Sequence, residues 1–285
     1  MYRNLDTFKD YIYKRNMAFE SKVLGGENPL GNLHFCNNQK YLDAFSQDII
    51  YGNLHTDSIQ ESIYNTLTHR VILDKQFCKD NSDEFGVFRI KDHKELCEKV
   101  NEHLKHHNMK GRYRNVLSNR HLKINQGVDM FDRIISETLP VLESFNNCTQ
   151  EDIWYDEKLD NCYNVGPFNK YQFTSDMLYI DELNIIPSVV NYCNLGTERG
   201  FWYLTDQWKN FDTDIINLGI KYNSEYDHKT EYTKYLIPTD VTNILCELYK
   251  YTMSKQKRYR RKEVITHGKS LIIPKNIQEY VLGEK

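Results

Sequence analysis

The sequence of 285 residues lacks several features that would place it in a common class. No apolar run approaches the roughly 20 residues needed to cross a bilayer, and the first residues do not resemble a signal peptide. The seven cysteines form no CxxC pair, which favours free thiols in a reducing cytoplasm over a disulfide framework. No G-x-x-x-x-G-K-[ST] pattern occurs, so this sequence holds no P-loop. We therefore expect a cytoplasmic globular protein without a membrane segment.

A strong net charge is also missing, since lysines and arginines nearly balance acids and leave −3 at pH 7. Any surface that binds nucleic acid must therefore be a local basic patch. Residues 250–262 contain seven lysines or arginines, no acid, and interleaved tyrosines. Such a run suits phosphates and unstacked bases, although a basic run also serves as a solubility feature. The residues that we predict to contact DNA are Lys257, Arg258, Arg260 and Arg261.

Hydrophobic periodicity predicts a mainly α fold. Apolar residues recur at three- and four-residue spacing in several segments, whereas 85–90 is the clearest strand-like stretch and is short. The predicted helices are 5–23, 41–51, 58–73, 94–107, 128–145, a helix starting at Pro167, 206–221 and 240–253. We expect one domain over 1–285, and a division into helical lobes 1–145 and 146–285 around a central cleft stays open.

The most informative stretch is 165–204. Pro167 suits a first helical turn, and Tyr171, Gln172, Asp176 and Tyr179 then follow at helical spacing. A helix that serves only a core would not place a carboxylate among rings, because a buried carboxylate without a partner is costly. The segment 196–200 (GTERG) then predicts a glycine-bracketed turn whose amides would hold a phosphate at a helix start. The pattern indicates a polar pocket beside an anion site.

Three motifs in order resemble the alpha-glutamyl/putrescinyl thymine pyrophosphorylase family. The first is the spacing of Arg15 with F-C-N at 35–37, D at 43 and S-Q at 46–47; the second is G-P-F-x-x-Y-Q-x-x-x-D-x-x-Y at 166–179 with G-T-x-x-G; the third is L-C-E-x-x-K-Y at 245–251. Two departures are a lysine at 14, where the family often has glutamate, and Lys40 near the position of an expected arginine. The family is largely phage-encoded, and its members include amino acid:DNA transferases and the helical domain of 5-hydroxymethyluridine DNA kinases.

The resemblance implies a DNA-glycosylase-like helical fold and an enzyme of thymine hypermodification in an infected bacterial cell. The implied reaction displaces pyrophosphate from 5-pyrophosphorylmethyl-uracil in DNA with an amine, from an amino acid or a polyamine. The target base would have to leave the stack. As the base that accepts the amine proton we place Asp176 first, with Glu247 and Asp43 behind it. The other implied substrate or phosphate contacts are Arg15, Asn37, Lys40, Gln47, Tyr171, Gln172, Tyr179, Gly196, Thr197 and Lys250.

Two other functions stay open. One is a DNA glycosylase that cleaves a modified base, and the other is a non-catalytic reader or accessory subunit of a separately encoded DNA base kinase. No cofactor and no metal site is predicted, although magnesium accompanying pyrophosphate stays open. His103 and His106 share a helical side but lack a third ligand, so we interpret them as a solvated face. Cys162 and Cys193 have no legible histidine partner and are interpreted as small core residues.

Overall fold

The computed structural model describes residues 2–31, 35–106, 127–207, 211–253 and 271–284. Within these ranges the chain is mainly helical and forms no β-strand, which confirms the predicted fold class. The helices are α1 Leu5–Leu24, α2 Ala44–Asn53, α3 Ile59–Ile72, α4 Lys75–Asn81, α5 His93–His106, α6 Gly127–Glu143, α7 Gln150–Trp154, α8 Glu157–Asn161, α9 Pro167–Asp176, α10 Leu195–Thr205, α11 Thr213–Ser224, α12 Pro238–Met253 and α13 Lys275–Leu282. Single 3₁₀ turns lie at Lys40–Leu42, Ile90–Asp92, Met177–Tyr179, Asp181–Leu183 and Glu231–Thr233.

Side-chain caps fix where several helices begin. Ser58 accepts a hydrogen bond from the amide of Glu61 at the start of α3, and Asp74 accepts from two amides at the start of α4. Thr149 and Asp152 form a reciprocal capping box on α7. Each cap satisfies amide groups that the first turn of a helix leaves without an intrahelical acceptor.

The chain forms two compact units. Unit 1 combines Met1–Ser46 with Pro187–Lys285, and unit 2 is Gln47–Ile186. This division differs from the lobes 1–145 and 146–285 considered above, because the first 46 residues pack with the C-terminal part of the chain. A hydrophobic periodicity reports which face of a helix is buried, but not which distant helix covers it.

The core of unit 1 lies between α1, α10, α11 and α12. Phe8, Tyr11 and Ile12 of α1 are fully buried, as the apolar stripe of the sequence predicts. They belong to a cluster with buried apolar side chains of the other three helices, among them Phe201, Ile215 and Leu245. Helix α1 and the helices α10 to α12 thus build one core.

Unit 2 has its own core, in which α3 and α5 pack against α6, and α9 packs against α3 and α7. Ile63, Leu67, Val100, Ile134 and Phe173 are among its buried side chains. The strand-like stretch 85–90 contains no strand; an isolated parallel bridge joins Thr149 to Ile186 instead. In both units, therefore, the helices predicted from the periodicity pack against one another and bury apolar side chains.

Candidate functional site

Four residues of the first motif, Arg15, Cys36, Asn37 and Asp43, lie together in unit 1. Arg15 is 2% exposed and donates from Nε to the carbonyl of Cys36 (2.7 Å) and from Nη2 to the carbonyl of Phe35 (2.9 Å) and to Oδ1 of Asn37 (2.5 Å). Asn37 in turn donates from Nδ2 to Oδ1 of Asp43 (3.1 Å). Because its guanidinium donates to protein acceptors, Arg15 fixes the segment 35–37. A direct contact with phosphate is better provided by another cation.

That cation is present in the third motif, on α12. Nζ of Lys250 lies 2.5 Å from Oε1 of Glu247, and the side chain of Lys250 is 47% exposed whereas that of Glu247 is 7% exposed. Burial alone would lower the pKa of Lys250, but the Glu247 carboxylate and the thiols of Cys246 and Cys36 outweigh it and raise the pKa. The ammonium therefore stays charged at neutral pH. It presents a positive charge to solvent beside a buried carboxylate.

Tyr11 connects the first motif to the third. Its ring lies 5.6 Å from that of Phe35 and 5.0 Å from that of Tyr251. Burial raises the pKa of its phenol well above the ordinary value, and the charge of Glu247 adds to this while Arg15 opposes it. The hydroxyl is fully buried and has no hydrogen-bond partner among the described residues.

A buried polar group without a partner is uncommon in a folded protein and calls for an explanation. We call the surrounding group the Tyr11 cluster. Its members, all in unit 1, are Tyr11, Arg15, Cys36, Cys246, Glu247 and Lys250.

The glycine motif also lies in unit 1 against α12, but in a different form from the one expected. The predicted turn at 196–200 is wrong, because these residues are the first part of α10. Oδ1 of Asn194 caps the helix and accepts from the amides of Gly196 (2.8 Å) and Thr197 (3.0 Å), and Oγ1 of Thr197 donates to the carbonyl of Thr242 (3.1 Å). A Cβ at Gly196 would overlap Sγ of Cys246. The glycine therefore permits close helix packing, and its amide is already hydrogen-bonded.

Asp176 lies in unit 2 and is fully buried. Oδ2 accepts a hydrogen bond from Nε of Arg70, and Oδ1 accepts one from Nη2 at 2.7 Å. Tyr171 and Tyr179 are buried near it in sequence, and Gln172 is half-buried. A guanidinium thus holds both oxygens of this carboxylate in a bidentate, charge-assisted pair. The structure thus gives Asp176 a partner that supports a structural role.

Sequence reasoning missed Arg70 and Asp240. Arg70 occupies a helix whose neighbouring positions are buried, and an arginine at such a position indicates a buried acidic partner. Asp240 is 1% exposed, accepts from the backbone amides of Lys40 (2.8 Å) and Ile237 (3.2 Å), and has a pKa that burial raises to about 7. The sequence feature that could have identified Asp240 is its position in the first turn of α12, where the helix dipole stabilises a negative charge.

The remaining predicted residues are divided between the units and the undescribed part. Lys40 is half-exposed in unit 1, and Gln47 is half-buried at the first position of unit 2. Lys257, Arg258, Arg260 and Arg261 lie outside the described residues, so their proposed contact with DNA stays a prediction. All seven cysteines are free thiols. Among the described helices, none is long and apolar enough to traverse a bilayer.

Comparison with known proteins gives one finding. The sequence model of a family described as "5-hmdU DNA kinase, helical domain" matches residues 3–261, which include all of unit 2, most of unit 1 and all three motifs. No curated protein and no solved structure matches significantly. The match extends over most of the sequence and agrees with the helical architecture. The chain therefore belongs to the family of 5-hmdU DNA kinase helical domains.

Proposed function

We propose that this protein acts in the modification of thymine in DNA and that it replaces the pyrophosphate of a 5-pyrophosphorylmethyl-uracil with an amine. The family supports the first part, since its description names a kinase that acts on a hydroxymethylated deoxyuridine. The Tyr11 cluster supports the second. In the reaction the bond between the 5-methylene carbon and the pyrophosphate oxygen breaks, a carbon–nitrogen bond forms, and the amine loses one proton.

One observation carries the proposal: the exposed ammonium of Lys250 lies 2.5 Å from the buried carboxylate of Glu247, whose charge acts on Tyr11. Departing pyrophosphate needs a cation, because charge develops on its leaving oxygen. The incoming amine needs a carboxylate within hydrogen-bonding reach. Lys250 and Glu247 supply both groups one helical turn apart.

This proposal moves the base from Asp176, which pairs with Arg70, to Glu247, with Asp43 as the second candidate. Asp43 is half-buried and held by the side chain and amide of Asn37 (3.1 and 3.3 Å). Asn37 thereby orients a carboxylate close to the segment fixed by Arg15. The donor would be an amino acid or a polyamine, and the substrate would be DNA that a separate base kinase has phosphorylated.

The test uses DNA that carries 5-pyrophosphorylmethyl-uracil, with a mixture of amino acids and polyamines, followed by mass spectrometry of the digested nucleosides. The proposal expects an amine-substituted thymine and one free pyrophosphate per event. An abasic site would instead identify a glycosylase. If the protein binds this DNA but the 5-pyrophosphorylmethyl-uracil is recovered unchanged, the protein is a reader or an accessory subunit.

Two variants locate the chemistry. We expect Lys250→Met to lower the rate about 10²- to 10³-fold, the loss usual for one group that stabilises transition-state charge. Glu247→Gln should lower it at least as much while DNA binding persists. Lys99→Met is the matched control, because Lys99 is exposed to the same degree as Lys250 and pairs with Glu95 in unit 2 (2.7 Å). Equal activity of Lys250→Met and the control would remove Lys250 from the reaction.

A further inference from the structure

Unit 2 contains a histidine, a cysteine and an aspartate with their side-chain ligand atoms in one place. His93 and Cys97 lie one turn apart near the start of α5, and Asp132 lies on α6. Nε2 of His93 is 3.5 Å from Sγ of Cys97 and 2.8 Å from Oδ1 of Asp132, and all three ligand atoms lie within 4.8 Å of one another. The proposed transferase chemistry uses none of them.

The nitrogen–sulfur separation matches a tetrahedral zinc ion, whereas the nitrogen–oxygen separation is shorter than such an ion requires. With a zinc–sulfur bond of about 2.3 Å and zinc–nitrogen and zinc–oxygen bonds of about 2.1 Å, tetrahedral angles place nitrogen about 3.6 Å from sulfur and about 3.4 Å from oxygen. The nitrogen–sulfur separation already fits. The carboxylate would have to retreat by about half an ångström, which its 58% exposed side chain permits.

The ring of His93 is held so that Nε2 faces the other two ligands. Its Nδ1 lies 2.9 Å from the hydroxyl of Tyr64, a buried residue of α3. With Nδ1 donating to the phenol oxygen, Nε2 carries the lone pair that a metal requires. The rings of Tyr64 and Phe131 flank the imidazole at 5.6 and 5.8 Å. Metal-binding histidines commonly have such a hydrogen-bonded outer partner.

We propose that His93 Nε2, Cys97 Sγ and Asp132 Oδ1 bind one zinc ion that cross-links α5 to α6. The thiolate and imidazole select a borderline-soft ion over magnesium or calcium, which prefer oxygen ligands. The exposure of Asp132 leaves a fourth position accessible to water. The site is independent of the Tyr11 cluster, which lies in unit 1.

Cobalt(II) titration of the metal-stripped full chain tests the proposal. We expect one cobalt ion per chain, with a thiolate-to-cobalt charge-transfer band and tetrahedral d–d bands, and displacement of the cobalt by zinc. Zinc alone should raise the melting temperature. Absence of the charge-transfer band in folded protein would overturn the proposal, because the aspartate–histidine contact would then be an ordinary hydrogen bond.

Variants assign the ligands. Cys97→Ser should abolish the charge-transfer band, whereas Cys148→Ser, which replaces another half-buried thiol of unit 2, should keep it. Asp132→Asn changes an exposed side chain, and it should weaken cobalt affinity by at least tenfold. Tyr64→Phe should weaken it about 10- to 100-fold through loss of the outer hydrogen bond. Survival of the band in Cys97→Ser, or unchanged affinity in Asp132→Asn, would refute this ligand set.

Discussion

A carboxylate without exposed surface is stable in a folded protein when a cation and hydrogen-bond donors replace its hydration. Asp176 meets this condition through Arg70. We expect Asp176→Asn to lower the free energy of unfolding by about 3 to 5 kcal/mol, because the guanidinium of Arg70 then loses its counter-charge in a buried place. The double change Arg70→Met with Asp176→Leu should recover most of this loss, since both charges are removed. Urea unfolding measures the free energy of unfolding of the unaltered protein, of Asp176→Asn and of the double variant.

The contrary result is also informative. If Asp176→Asn unfolds at the same urea concentration as the unaltered protein yet has lost turnover, the carboxylate is catalytic and the predicted base is reinstated. If instead the variant is less stable but retains activity below its melting temperature, the carboxylate supports the fold.

Asp240 predicts a specific dependence of stability on pH. Burial raises its pKa from 3.8 to about 7 in the folded protein. Below about pH 4 the carboxyl is protonated in both states, whereas between pH 4 and 7 the unfolded chain releases a proton that the folded chain keeps. Stability should therefore fall as pH rises through this window, by an amount on the order of 4 kcal/mol, and level off above it.

The measurement is the difference between the unaltered protein and Asp240→Asn, followed by urea unfolding from pH 4 to 8. The variant loses one of the two hydrogen bonds that the carboxylate accepts from Lys40 and Ile237, so its stability is offset at every pH. Its pH profile should nevertheless lack the decline. Parallel profiles for the two proteins would show that Asp240 is ionised in the folded state throughout.

At the scale of residues, the sequence named side chains whose contacts only the structure reveals. Arg15, Asn37 and Asp43 belong to one sequence motif and form one hydrogen-bonded group. The partner of Asp176, in contrast, is 106 positions away in the sequence. Ion pairs between residues so far apart in the sequence depend on the tertiary fold, and local sequence patterns do not specify them.

At the scale of helices, the contact between α10 and α12 depends on a residue without a side chain. A Cβ at Gly200 would overlap the carbonyl oxygen of Leu245, a backbone atom that cannot rotate away. We expect Gly200→Ala to destabilise the protein by about 1 to 3 kcal/mol through overpacking. Thermal unfolding measures this loss.

Gly166→Ala is the matched control, because a Cβ at Gly166 meets no atom within 4 Å and its φ is negative. We expect it to change stability by less than about 1 kcal/mol, the scale of an N-cap replacement. Equal effects of the two substitutions would show that the helices can separate without cost, contrary to the packing inferred for α10.

The helices themselves were largely predictable because their apolar faces repeat at three and four residues. The predicted 58–73 is α3 and the predicted 240–253 is α12, within two residues at each end. The errors have local causes. The glycine motif predicts a turn, but Asn194 caps it into a helix, and α11 begins at Thr213 instead of 206 because Asp212 is its cap. A cap outweighs periodicity at a helix end.

At the scale of the whole molecule, both the division of the chain and the assignment of a substrate depend on distant contacts. Unit 1 closes through α1 and α12, which are more than 200 residues apart. It brings the first and third motifs to the Tyr11 cluster, whereas the G-P-F motif belongs to unit 2. Motif order along the chain therefore predicted a relationship to proteins of thymine modification, which the match to the 5-hmdU DNA kinase helical domain supports, but it did not predict which motifs belong to the same unit.

The proposed binding of DNA by this nearly neutral chain requires a local charge concentration, and residues 254–262 supply the densest one in the sequence. We expect replacement of Arg258, Arg260 and Arg261 by glutamine to weaken DNA binding and to lower the slope of log affinity against log salt by about 2 to 3, since each phosphate contact contributes about 0.9. Glutamine at Lys79, Lys91 and Lys94, three exposed lysines of unit 2, removes the same charge elsewhere. Fluorescence anisotropy from 50 to 200 mM salt measures both slopes. If the two triple variants lose slope equally, net charge governs the binding and the basic run is not the interface.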